Sequence, residues 1–145
     1  MKILVQKVLN ASVTVNKQLV SQINQGFLLF IGVEKGDTQT QADFLAKKIA
    51  NLRIFEDENN KMNLSIQDVK GEILAVSQFT LAADLSRGNR PGFDSAARPE
   101  EAKLLYEYFV AQLQTYNLPL QTGIFQADMK VALTNDGPCT FILEK

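Results

Sequence analysis

The run Phe27-Leu28-Leu29-Phe30-Ile31-Gly32-Val33, opened by Gly26, carries no polar side chain at any position. A strand with one wet face alternates apolar and polar residues, so a run without alternation reads as a strand covered on both faces. A second apolar segment, Ile73-Leu74-Ala75-Val76, has the same character. Any fold for this chain has to bury both faces of its central sheet.

Around that core the other elements follow from local chemistry. Residues 2–9 and 12–23 read as strands, with Val13 and Val15 alternating about Thr14 and a hairpin turn at Asn16-Lys17. Thr38-Gln39-Thr40-Gln41 has the spacing of a capping box and predicts a helix with Ala42, Leu45, Ile49 and Leu52 on one face. Short strands are expected at 53–55 and 62–66, split by the turn Asp57-Glu58-Asn59-Asn60. A strand is expected over 72–81, then an exposed loop over 84–98. Pro99 suits a first helical residue, Glu100 and Glu101 suit the positive helix end, and Leu104, Leu105, Tyr108, Phe109 and Leu113 make an apolar stripe. Arg98 is a poor N-cap. The remainder reads as two or three strands, at 122–125, 130–134 and 140–143, with Gly137-Pro138 as a tight turn between two of them. The expected class is mixed α+β: one domain over 1–145, mostly antiparallel or mixed sheets in a barrel-like core, with about two helices packed on it.

At 145 residues the chain is long enough for a real core, and its 46% hydrophobic and 21% charged content is ordinary for a globular protein. No apolar run approaches the roughly 20 residues needed to cross a membrane. The first residues read as a strand rather than a signal peptide, and the single Cys139 points to a reducing cytoplasm. A formal net charge of -1 argues against indiscriminate nucleic-acid binding, although Arg87, Arg90 and Arg98 crowd one stretch.

The chain contains no histidine and one thiol, which excludes a His-containing triad and any histidine-dependent or multi-cysteine metal site. No Gly-rich nucleotide cradle is present, so no cofactor is expected. Two polar patches at the ends of apolar runs remain: Ser77-Gln78-Phe79-Thr80-Leu81-Ala82-Ala83-Asp84 and Asn135-Asp136-Gly137-Pro138-Cys139-Thr140. Either a Thr, Ser or carboxylate acts as nucleophile or base, or the substrate supplies the reactive group and the protein supplies position and backbone dipoles. Thr80 is the candidate nucleophile, with a β-branched strand-end residue as the plain alternative. Gln78 either binds a ligand or pairs with nearby backbone, and the Phe79 N–H is placed to point into a site. Gly137-Pro138 is either a turn or a rigid loop whose exposed carbonyls accept from an ammonium group.

These two patches, in this order, resemble the paired signature of the D-aminoacyl-tRNA deacylases. Ala11-Ser12-Val13-Thr14-Val15, Gly32-Val33-Glu34, Lys61-Met62-Asn63-Leu64, Arg90-Pro91 and Gln121-Thr122-Gly123 extend the likeness along the chain. The resemblance implies a deacylase-like fold and a homodimeric ester hydrolase, without cofactor or metal. It would act on the aminoacylated 3′ end of tRNA charged with a D-amino acid, and on glycyl-tRNA. By position, Gln78, Phe79 and Thr80 would be catalytic, with the Phe79 N–H serving the carbonyl oxygen. Ser77, Met129, Asn135, Gly137 and Pro138 would bind substrate. Gly137-Pro138, a cis peptide in the family, would reach the partner's active site and reject L side chains. Cys139 stands where the family usually has Val, Lys7 where Arg is frequent, and Asp94-Ser95-Ala96-Ala97 in place of a segment with Lys and Gly. A dimeric, non-catalytic module binding an RNA 3′ end or adenosine, and a Thr80-dependent esterase, are the competing readings.

Overall fold

The computed structural model describes all of residues 1–145. Eight strands and two α-helices follow in the order β1 (Lys2–Val15), β2 (Gln18–Ile23), β3 (Gly26–Gly32), α1 (Gln39–Ala50), β4 (Arg53–Glu56), β5 (Met62–Ser65), β6 (Glu72–Ser77), α2 (Pro99–Gln114), β7 (Leu120–Thr122) and β8 (Met129–Glu144). A six-stranded mixed sheet has the order β2-β1-β3-β6-β7, with β8 on the free edge of β1, and β4-β5 form a separate hairpin. The sheet curls until β2 touches β6 and β7, giving a nearly closed barrel.

The fully apolar strands have two buried faces. Phe27, Leu29, Ile31, Ile73 and Ala75 face the helices, where they meet Leu45 and Ile49 of α1 and Phe109 and Leu113 of α2. Leu28, Leu74 and Val76 point the other way, with Val8, Ala11, Val13 and Ile23, into the barrel. Thr38 caps α1 as its spacing predicts, with the Gln41 side chain accepting from the Thr38 N–H at 2.9 Å. Pro99 opens α2, and Arg98 precedes it without a side-chain cap bond.

Four expectations need correction. The helix α1 ends at Ala50, so Leu52 lies beyond it. In α2 the buried face is Leu105, Tyr106, Phe109 and Leu113; Leu104 is 70% exposed, one residue off the i, i+4 line that meets the core. The C-terminal part is two strands with other bounds than expected. β7 is confined to Leu120–Thr122, and 129–144 is one strand because β1 pairs with it on both sides of Gly137-Pro138. Gly137-Pro138 therefore interrupts a single strand rather than joining two. Finally, β6 stops at Ser77 and the chain winds into a 3₁₀ turn over Phe79–Ala82. The Gln78 N–H makes the last ladder bond, to the Ile31 carbonyl at 2.7 Å. Gly32 lets the turn close over the end of β3, since a Cβ there would sit 2.9 Å from the Leu81 Cβ.

Candidate functional site

A cleft of about 700 Å³ opens where β6 ends. Ser77, Gln78 and Phe79 form one side, the 125–129 segment and Val131 the other, and Pro99, Ala102 and Tyr106 of α2 the third. The lining is largely apolar, and Asp128 is its one carboxylate, ion-paired with Lys130 at 2.8 Å. Burial pushes the Tyr106 phenol up, so it stays protonated, and it donates to the Ala75 carbonyl at 2.9 Å.

Of the residues singled out in the sequence, Ser77, Gln78, Phe79 and Met129 line this cleft. Thr80 sits beside it, exposed, and its hydroxyl accepts a hydrogen bond from Gln78 Nε2. No basic side chain contacts Thr80 to take its proton. The first amides of a 3₁₀ turn have no partner within it. The Phe79 and Thr80 N–H groups accordingly make no hydrogen bond outside the turn, although the Gln78 and Leu81 amides on either side of the pair do. The Phe79 ring packs on Phe93 with centroids 4.9 Å apart, at the cleft mouth.

Asn135, Gly137 and Pro138 lie elsewhere. Between Gln6 and Val8 of β1 the register of β8 jumps from Thr140 to Asn135, and the intervening residues bulge outward. The Gly137–Pro138 peptide is cis, and both residues are exposed. The bulge is clamped from below. Asn135 Oδ1 accepts from the Cys139 N–H at 2.8 Å, Asn135 Nδ2 donates to the Cys139 carbonyl at 3.0 Å and to Gln6 Oε1, and the Thr140 hydroxyl donates to Gln6 Oε1 at 2.8 Å. The carboxamide of Asn135 is thus spent on the turn. Lys7, only 2% exposed, reaches Asp136 at 3.3 Å and Glu56 at 3.8 Å beneath the same turn. Burial pushes the Cys139 thiol up, opposed by the nearby Lys7 charge, so this sulfur is an inert packing group.

The bulge lies opposite Lys7, which pairs with Phe27, which pairs with Ile73, four residues before Ser77. Three strand spacings across and four residues along amount to roughly 19 Å over the sheet. The two patches therefore do not meet within one chain.

The missed half of the site is the 125–128 segment, Phe93 and the cleft-facing side of α2. Residues 122–125 read as a strand, and Tyr106 fell outside the expected stripe; a buried tyrosine hydroxyl inside an apolar helix face was the one available sign.

The family model for D-Tyr-tRNA(Tyr) deacylase matches residues 4–144. A D-aminoacyl-tRNA deacylase from Geotalea uraniireducens is 60% identical over 99% of this chain and 93% of its own length. Another from Pelobacter propionicus is 55% identical over the full length of both. Among solved structures, one of a c-Myc DNA Unwinding Element Binding Protein superposes with a TM-score of 0.94 at 42% identity, covering 100% of this chain and 99% of the other. A structure described as a probable eukaryotic D-amino acid tRNA deacylase has the same fold, with a TM-score of 0.83 at 15% identity, covering 98% and 97%.

Proposed function

Because this chain belongs to the D-Tyr-tRNA(Tyr) deacylase family, we infer that it hydrolyses the ester between a D-amino acid and the 3′ end of tRNA. The observation that carries the mechanism is the free Phe79 N–H at the lip of an apolar cleft. An unpaired amide in such a place is available to the carbonyl oxygen of an ester and stabilises the charge that develops there as water adds. The aminoacyl ester is already activated, so orientation and this dipole lower much of the barrier. The chain has no imidazole and Thr80 has no base beside it, so the proton of the attacking water passes to the substrate side: the vicinal 2′-hydroxyl of the terminal ribose relays it to the 3′-oxygen as the ester C–O bond breaks, leaving the free amino acid and a 3′-hydroxyl. Gln78 and Thr80, tied to one another, frame that ribose, while Ser77 and Met129 form the cleft wall.

Chiral choice belongs to the bulged turn. The separation, roughly 19 Å over the sheet, and the exposure of Gly137 and Pro138 support a homodimer in which each turn reaches the partner's cleft. Its carbonyls then accept from the substrate α-ammonium, and an L side chain strikes the turn. Exclusion by a rigid main chain needs no pocket for each side chain, so D-amino acids of many sizes pass, and glycine passes too. Asn135 serves this scheme by holding the turn. The place of action is the cytoplasm, where charged tRNA is found.

Incubation with D-tyrosyl-tRNA, L-tyrosyl-tRNA and glycyl-tRNA tests the scheme. Release of D-tyrosine and glycine but not L-tyrosine is expected. Equal release of both enantiomers would end the main-chain filter, and no release from any would favour a binder without turnover.

A further inference from the structure

Between β6 and α2 the chain throws out an arm that the catalytic scheme does not use. Two backbone hydrogen bonds between Asp84 and Gly92, of 2.8 and 2.9 Å, close its stem. Everything from Leu85 to Pro91 beyond that stem is exposed. The stem is bolted to the cleft: Phe93 packs on Phe79, the Ser95 hydroxyl donates to the Ala82 carbonyl at 2.5 Å, and the Ala97 N–H donates to Val33 at 3.1 Å. The tip therefore stands at a fixed place on the cleft lip.

Its chemistry is one-sided. The tip carries Arg87 and Arg90 and no acid. Neither guanidinium takes part in any ion pair or side-chain hydrogen bond of the chain, although the whole protein has a net charge of -1. Asp84, at the stem, turns its carboxylate to the Ser86 N–H at 2.8 Å. Asp94 lies past the stem. Arginine forks held in solvent without partners match phosphate oxygens in geometry and charge. The cleft, at about 700 Å³, is the size that encloses one small molecule. It takes the terminal aminoacylated nucleoside, and the strand leading to that nucleoside must cross the lip.

Resting on the assignment of an aminoacylated RNA 3′ end as substrate, we propose that the 85–91 arm grips the phosphates of the incoming RNA strand through Arg87 and Arg90. The arm sets affinity for the polynucleotide, and the cleft alone handles the ester. Leu85 and Pro91 are the only apolar side chains of the tip, which suits a phosphate chain better than the apolar centre of a subunit contact.

The test measures binding of uncharged tRNA from 50 to 200 mM KCl, for the unaltered protein and for the R87Q/R90Q double variant. Two lost phosphate contacts make the log–log salt slope shallower by about 1.4–1.8, so the unaltered protein loses roughly 7- to 12-fold more affinity over that range than the variant does. R87K/R90K restores most of the slope. Cleavage of 3′-O-(D-tyrosyl)adenosine, which has no phosphate, is unchanged in all three proteins, while KM for D-tyrosyl-tRNA rises in R87Q/R90Q. Equal slopes overturn the proposal. Equal slopes together with a halved sedimenting mass for the variant overturn it in favour of a subunit contact. If the unaltered protein cleaves neither ester, the hydrolase assignment fails, and the binding slopes still decide the arm.

Discussion

Replacing Asn135 by alanine removes every bond that its carboxamide makes under the Gly137-Pro138 bulge. Cys139, 4% exposed, loses the acceptor of its N–H and the donor to its carbonyl, bonds of 2.8 and 3.0 Å. Each buried backbone group left unpaired costs about 1–3 kcal/mol. Water reaches the neighbouring exposed turn, which places the sum in the lower half of that range, about 2–4 kcal/mol. For a chain of this size that corresponds to a fall in Tm of roughly 6–12 °C. Gln6 keeps its bond from Thr140 at 2.8 Å, so Thr140→Val, which breaks that contact and the long 3.4 Å bond from Asn135 Nδ2 but leaves both Cys139 bonds in place, costs less, about 1 kcal/mol. The functional effect should exceed the loss of stability. A turn free to shift by an ångström misplaces the substrate ammonium, and kcat/KM for D-tyrosyl-tRNA falls about 10- to 100-fold. Thermal unfolding and the paired D and L deacylation rates measure the two effects on the same preparation. An Asn135→Ala protein with Tm within about 1 °C of the parent and an unchanged D:L rate ratio would refute the reasoning, because the turn would then be holding itself.

Gly137 has φ +145, and a Cβ there would lie 2.7 Å from the Cys139 nitrogen, so Gly137→Ala forces the turn to move against on the order of 1–3 kcal/mol of strain; the D:L rate ratio should collapse while the protein still folds, as read by circular dichroism. Thr80→Ala removes the contact with Gln78 but no proton path, and kcat should stay within roughly tenfold of the parent; a drop of about four orders of magnitude in single-turnover assays would make Thr80 a covalent nucleophile. Hydrogen bonds from Ser65 hold the Asp68 carboxyl below its usual range, and hydrogen bonds led by the Lys61 amide do the same for Asp57. A depressed folded pKa means the unfolded chain takes up protons first, so this stability is complete above the unfolded value and is lost as pH falls from there through the lower folded value. Tm should hold down to about pH 5 and drop as the medium is made more acid than that, and Asp68→Asn should flatten that profile.

The double burial of β3 and β6, the capped start of α1 and the Pro99 start of α2 were legible in the chain, because each depends on side-chain chemistry within a few residues. The two polar patches were legible for the same reason: polar groups at the ends of apolar strands stand out locally. The path beyond Ser77 was not. Whether Phe79 continues a strand or turns depends on β3 ending at Gly32 beside Leu81, a contact across 49 residues. The continuity of β8 through Gly137-Pro138 was hidden likewise, since it rests on pairing with β1 on both sides of the bulge, where Gln6, 129 residues away, also supplies an acceptor for Asn135. Local composition selected the candidate residues. Long-range pairing decided that Ser77, Gln78, Phe79 and Met129 share one cleft and that the Gly-Pro turn stands apart from it, because register and bulges are set by partner strands rather than by neighbours in the chain.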